Sequence, residues 1–208
     1  MILYTVFGNL KKRIKLRIIK YNKSLLDKLN ISNKDLEDFK ILKEFNQKFK
    51  LYIKDIDIPI FHTNGEILGN EIFEYLKKLR FTELKQLDLA FNNISNINGL
   101  ENANFDKLQI LSLDNNLISN INILEKVNFK ELKELYLSRN LISDIKVFEN
   151  AKLENLEALL LDNNKISDIN ILEKANFKEL NVLDLGCNQI SSIKALKNVK
   201  FQNLEVLG

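Results

Sequence analysis

At 208 residues and 45% apolar content the chain is long enough to bury a continuous core. Its formal net charge of +3 gives no whole-protein attraction for nucleic acid or an anionic membrane. A single cysteine, Cys187, excludes an internal disulfide. A single histidine, His62, excludes a catalytic histidine pair or a His-rich metal site, and no apolar stretch approaches the length of a membrane span.

Charge is nevertheless uneven along the chain. Residues 1–60 hold 14 Lys/Arg against 7 Asp/Glu, whereas residues 84–208 hold 14 against 17. Within the basic head, Phe7, Leu10, Ile14, Ile18, Tyr21, Leu25 and Leu29 recur every three or four residues. This predicts one amphipathic helix, or two broken near Tyr21-Asn22. Its opposite face carries Lys11, Lys12, Arg13, Lys15, Arg17, Lys20 and Lys23 with no acid between them. Such a face reads first as a solvated exterior, and second as a contact for nucleic acid, an anionic membrane or an acidic partner. The terminus runs apolar first and basic second, the reverse of a secretory signal, so a soluble cytoplasmic protein is expected.

Ser32 followed by Asp35 resembles a capping box, placing a second helix from about Asn33 to Phe49 with Leu36, Phe39, Leu42, Phe45 and Phe49 as its apolar stripe. Residues 1–50 are thus expected to form a basic helical N-terminal cap. Leu51 to Ile58 alternates as a strand that Pro59 ends, and His62, beside Thr63-Asn64-Gly65, is expected in an exposed turn. No nucleophile or carboxylate is tied to that histidine by spacing, which argues against acid–base chemistry. Asn70 is placed to cap a short helix from Glu71 to Leu79. Leu76, Leu79 and Phe81 return at one constant offset as Leu100, Ala103 and Phe105, so residues 51–83 read as a degenerate first coil of the array that begins at Leu84.

From Leu84 onward one pattern repeats without drift. The leading leucines Leu84, Leu108, Leu132, Leu156, Leu180 and Leu204 keep a constant period of 24, and Leu87, Leu89, Ile94 and Ile97 each recur at that same period. A unit of this size cannot bury its apolar face alone and must stack on its neighbours. The chain therefore coils, with short parallel strands around triplets such as Leu135-Tyr136-Leu137: the leucines point in and the tyrosine out. Phe81, Phe105, Phe129, Leu153, Phe177 and Phe201 form a second core column on the return side, whose bulk bends the stack with the strands on the inner curve. Asn92, Asn116, Asn140, Asn164 and Asn188 stand where the chain leaves each strand and strips backbone groups of sheet partners. A carboxamide can both donate and accept there, so this ladder is read as structural. Residues 84–208 thus hold five repeats and the start of a sixth. The strand begun at Leu204 has no lid, which raises two expectations: a truncated product, or end-to-end self-association of two chains.

The pattern LxxLxLxxNxIS(D/N)IxxLExAxF resembles the leucine-rich repeats of the internalin-like and phosphatase-regulator-like subclass, with one or two residues more per unit than is usual there. The resemblance implies an α/β solenoid: a curved, right-handed leucine-rich-repeat coil with a parallel concave β-sheet and a small helical N-terminal cap. It also implies a non-enzymatic scaffold that binds a protein or peptide on its concave strands. Ahead of the repeats, Phe7-x-x-Leu10 with Leu16, Ile18-Ile19 and Tyr21 resembles an F-box helical module, though without its leading Leu-Pro or tryptophan. That resemblance implies a substrate adaptor of a ubiquitin ligase.

The outward positions of the strands vary where the rest is uniform. They are Gln86, Ile110, Glu134, Ala158 and Val182; then Asp88, Ser112, Tyr136, Leu160 and Asp184; then Ala90, Asp114, Ser138, Asp162 and Gly186; then Phe91, Asn115, Arg139, Asn163 and Cys187. The candidates for partner binding among them are Asp88, Phe91, Ile110, Asp114, Glu134, Tyr136, Arg139, Leu160, Asp162 and Asp184. Tyrosine and arginine near the centre of a contact area are the commonest energetic anchors. Variation alone is equally what unrestrained surface positions show. Asp114-Asn115-Asn116 and Asp162-Asn163-Asn164 lack the spacing, the glycine and the closing glutamate of a calcium loop. No phosphate-cradling glycine loop occurs, and neither a cofactor, a metal nor a small-molecule substrate is expected.

Overall fold

A computed structural model describes residues 33–48, 60–62, 68–79, 81, 83–103, 105–197, 199 and 203–208. They fall into two compact units, Met1–Ile56 and Asp57–Gly208. The basic helices expected before residue 31, the expected strand Leu51–Ile58 and Phe201 lie outside the described residues. In the first unit, helix α1 spans Asn33–Lys48, one residue short of the expectation, and buries Leu42 and Phe45.

The second unit is a stack of coils. Seven parallel strands lie side by side in chain order: β1 (Ile60–His62), β2 (Gln86–Asp88), β3 (Ile110–Ser112), β4 (Glu134–Tyr136), β5 (Ala158–Leu160), β6 (Val182–Asp184) and β7 (Val206–Leu207). From β2 onward each residue pairs with its counterpart one repeat later, as Leu87 with Leu111 and Leu111 with Leu135. This is a curved α/β solenoid. Leu87, Leu111, Leu135, Leu159 and Leu183 are fully buried while most of their strand neighbours are partly exposed, which is the period-two alternation at work. On the return side each coil after the first uses a single turn of 3-10 helix, such as Asn122–Glu125 and Lys146–Glu149. Phe81, Phe105, Phe129, Leu153 and Phe177 are buried behind these turns, and the rings of Phe148 and Phe177 meet at 5.6 Å between centroids.

The first coil departs from the sequence reading in three places. Strand β1 starts immediately after Pro59 and pairs with β2 so that Phe61 lies opposite Leu87, a step longer by two than that from Leu87 to Leu111. His62 is accordingly the last residue of a strand, in register with Asp88, and not part of an exposed turn. Helix α2 (Ile72–Leu79) occupies the return position, but the Asn70 side chain does not cap it. Asn70 Oδ1 instead accepts from the backbone of Ser95 and Asn96, at 2.9 and 3.0 Å, and ties the helix entrance to the next coil. Against α2 packs Gly99, where the later coils carry Ile123, Val147, Ile171 and Ala195. A Cβ at Gly99 would stand 2.2 Å from that of Phe73, so the glycine is what lets a true helix lie against the first 3-10 turn.

Between coils the asparagine ladder holds the backbone. Asn140 is 5% exposed; its Oδ1 accepts from Ile118 N at 3.0 Å, while Nδ2 donates to Leu113 O at 2.9 Å and Leu137 O at 3.1 Å. Asn116 reaches Ile94 N and Leu89 O in the same way, Asn164 reaches Ile142 N and Leu137 O, and Asn188 reaches Ile166 N and Leu161 O. At the first rung Asn92 accepts from Leu68 N at 2.8 Å. Each carboxamide from Asn116 on thus satisfies groups on its own coil and on the coil before it.

Asn140→Ala strands an amide and a carbonyl at the centre of the stack, a cost of about 1–3 kcal/mol in urea unfolding. Asn140→Asp costs at least as much, since a carboxylate cannot donate to Leu113 O and Leu137 O. Gly99→Ile, which copies the next repeat, lowers the melting temperature although it raises apolar content; a rise would show that α2 does not depend on the missing side chain.

Candidate interaction surface

The sheet register turns the variable positions into rows that cross the coils. Gln86, Ile110, Glu134, Ala158 and Val182 are consecutive partners, as are Asp88, Ser112, Tyr136, Leu160 and Asp184. Neighbours in a row are about 4.8 Å apart, so a five-residue row spans about 19 Å. In the second row Tyr136 and Leu160 stand adjacent at the centre, both half-buried, with Asp88 and Asp184 at the ends. Ile110 and Glu134 flank them in the first row. The Tyr136 hydroxyl donates to Glu134 Oε2. Burial first, then that bond and the charge of Glu134, push the phenol up to about 12. The ring is therefore neutral and fixed over the row.

The next row is acidic. Asp114 and Asp162 lie one coil to either side of Ser138, and Asp114 Oδ1 accepts from the Ser138 amide at 2.7 Å. Burial pushes the Asp114 carboxyl up to about 6; the charges of Asp162 and Asp88 add to the rise, while the Ser138 amide and Arg139 oppose it. Asp162 Oδ2 accepts from the Asn163 side chain at 2.6 Å, and Asp88 and Asp184 cap their own turns at Ala90 N and Gly186 N. Among the described residues none of these four aspartates has a lysine or arginine within ion-pair distance. Ion pairs lie elsewhere, among them Lys107 with Glu83, Lys130 with Asp106, Lys133 with Glu157 and Lys178 with Glu154, each joining residues one repeat apart.

Two features of this face were not legible as function. Ser112 and Ser138, outward in the pattern, are 9% and 8% exposed, so the floor of the face is more closed than alternation implies. The last row, Phe91, Asn115, Arg139, Asn163 and Cys187, is left-handed throughout, with φ between 53° and 60°. The amide of each of its first four members still bonds forward to the next coil, Arg139 N to Asp162 O at 2.9 Å, so the sheet ladder forces the turn. Asparagine adopts this conformation readily, and Asn115 and Asn163 are the signal that could have revealed it. Phe91, Arg139 and Cys187 carry steric strain there and remain exposed, Phe91 at 68%. The structure thus gathers Ile110, Glu134, Tyr136, Leu160, Asp114 and Asp162 at the centre. It sets Asp88, Asp184, Phe91 and Arg139 at the margins.

A family model described as leucine-rich repeats in two copies matches residues 130–174 and 154–198. The stack is also similar to internalin C2 of Listeria monocytogenes, at 32% identity over 64% of this chain with a TM-score of 0.54. The chain carries leucine-rich repeats and is similar to the internalins. A second internalin of the same organism, InlF, is similar at 28% identity over 63% of this chain, with a TM-score of 0.52. The leucine-rich-repeat chain spans 54% of the first of these proteins and 36% of the second. No curated protein sequence matches it significantly. Leucine-rich-repeat folds commonly serve as scaffolds for protein interaction.

Two expectations arise for the repeats. Cys187→Asn relieves a left-handed cysteine and stabilises the fold by about 1 kcal/mol in thermal or urea unfolding. Asp114→Asn keeps the acceptor for Ser138 N but removes a carboxyl whose pKa is raised on folding. Such a group holds its proton longer in the folded state, so its ionisation costs stability as pH rises from about 4 through about 6. The melting temperature of the variant minus that of the parent is therefore larger at pH 7.5 than at pH 4.5.

Proposed function

We propose that this chain is a non-enzymatic interaction scaffold that holds a protein or peptide segment along its concave strand face. The observation that carries the reading is the adjacent pair Tyr136 and Leu160, half-buried at the middle of a regular sheet row and ringed by ionisable residues. A large apolar side chain beside a tyrosine with a fixed hydroxyl gives a contact centre that needs little ordering on binding. The rows keep one partner strand direction in register over about 19 Å, a length that suits an extended segment of about six residues. The fold supports the reading through the common use of leucine-rich repeats as interaction modules.

The F-box-like adaptor and the nucleic-acid or membrane contact both rest on residues 1–23, outside the described residues, and no observation on the structure favours either. The acidic rows of the concave face would repel a polyanion.

A Tyr136→Ala/Leu160→Ala double variant weakens the protein partner by tenfold or more while its melting temperature stays within a few degrees of the parent. Isothermal titration against the partner, obtained by crosslinking to the intact chain, measures this. Undiminished affinity in the double variant removes the concave face from the contact.

A further inference from the structure

The described ionisable residues of the four outward rows are Asp88, Asp114, Glu134, Asp162 and Asp184 against the single cation Arg139. Their carboxylates are not neutralised by neighbouring coils, in contrast to Glu83, Asp106 and Glu154 elsewhere on the stack. At the centre of this acidic face two aspartates flank a serine. Asp114, Ser138 and Asp162 occupy one row on consecutive coils, and the alternation that buries Leu137 turns Ser138 to the same side as the two aspartates. Residues two coils apart are about 9.6 Å apart at the backbone, and Asp114 already leans inward to the Ser138 amide. A cationic nitrogen that bridges the two carboxylates needs an oxygen of each within about 2.8 Å. Between them in the row, Ser138 Oγ is a buried polar atom with no hydrogen-bond partner. An unsatisfied buried hydroxyl is uncommon and marks a place where a polar group is missing.

We propose that the partner is a basic extended segment, one of whose lysine or arginine side chains seats over Ser138 between Asp114 and Asp162. The inference rests on the concave-face reading above and adds the chemistry of what that face holds. An ammonium or guanidinium group brings several donors and no acceptor, which matches the two carboxylates and, once the covered Ser138 side chain turns outward, its hydroxyl oxygen. Its stem lies in the direction of Tyr136 and Leu160, the apolar neighbours one row away, where the methylenes of a long cationic side chain find cover. Among the described residues Arg139 makes no ion pair with Asp114 or Asp162, although its charge acts on the Asp114 carboxyl.

The test uses the intact chain and a fluorescein-labelled ten-residue peptide of alternating lysine and threonine, read by fluorescence anisotropy at 50 mM NaCl. A peptide with glutamate in place of lysine serves as the opposite charge. The lysine peptide is expected to bind and the glutamate peptide not. Asp114→Asn/Asp162→Asn weakens the lysine peptide tenfold or more, whereas Glu131→Gln/Glu154→Gln, which removes the same charge from the turns leading into the strands, changes it less than threefold. Equal losses in the two double variants, or no preference for lysine over glutamate, overturn the inference. A native partner lost by Tyr136→Ala/Leu160→Ala but unaffected by Asp114→Asn/Asp162→Asn overturns it as well, and leaves the concave-face reading standing.

Discussion

Everything in the stack depends on how the backbone is satisfied where the chain turns out of the sheet. A coil that gives only three residues to its strand spends most of its length outside regular ladders, and a buried amide without a partner costs as much as a lost hydrogen bond. From Asn116 on, the asparagine of each repeat answers this with one planar group that accepts from the coil before it and donates to carbonyls on both coils. Leucine burial supplies the driving force and resists a slip of one residue, which would turn every strand leucine to the outer face. The carboxamide reinforces the register, because the same slip would take its donors away from their carbonyls.

That division of labour explains why the core is uniform and the outer rows are not. Leu135, Leu137, Ile142 and Ile145 are each almost wholly buried and answer to neighbours on two coils, so any change in their volume is felt twice. Tyr136 lies between two of them on strand β4 and Arg139 just beyond it, and the Tyr136 side chain is half-buried while that of Arg139 is exposed. The scaffold can therefore hold an unpaired aspartate row and strained left-handed residues such as Phe91 and Arg139 at modest cost, since the coil around them is over-determined.

The period, the strands and the asparagine rungs can be read from the sequence because each is a residue type recurring at a fixed offset, and a fixed offset is geometry. The first coil is less legible for the same reason. Its extra residues put Phe61 outside the spacing that joins Leu87 to Leu111, so counting in equal steps passes over the strand, and the Thr63-Asn64-Gly65 cluster draws His62 into a turn. Asn70 looks like a helix cap in isolation; only the fold brings Ser95 and Asn96 within its reach. Gly99 is informative only once α2 is known to lie against it. On the concave face the rows themselves are legible. The left-handed row, the buried Ser138 hydroxyl and the absence of described ion pairs to the aspartates are properties of neighbouring coils together, and have no signature within one repeat.

The rungs also have a direction. Asn116 completes the backbone of the coil that ends near Ile94, Asn140 that of the coil near Ile118, and Asn164 that of the coil near Ile142. Each turn of the spring is finished by a residue synthesised 22 positions later than the amide it satisfies. A turn therefore cannot be completed until the asparagine of the next repeat has emerged from the ribosome. The same arrangement lets a gene gain or lose whole repeats without redesign, because every added unit arrives carrying the clasp for its predecessor.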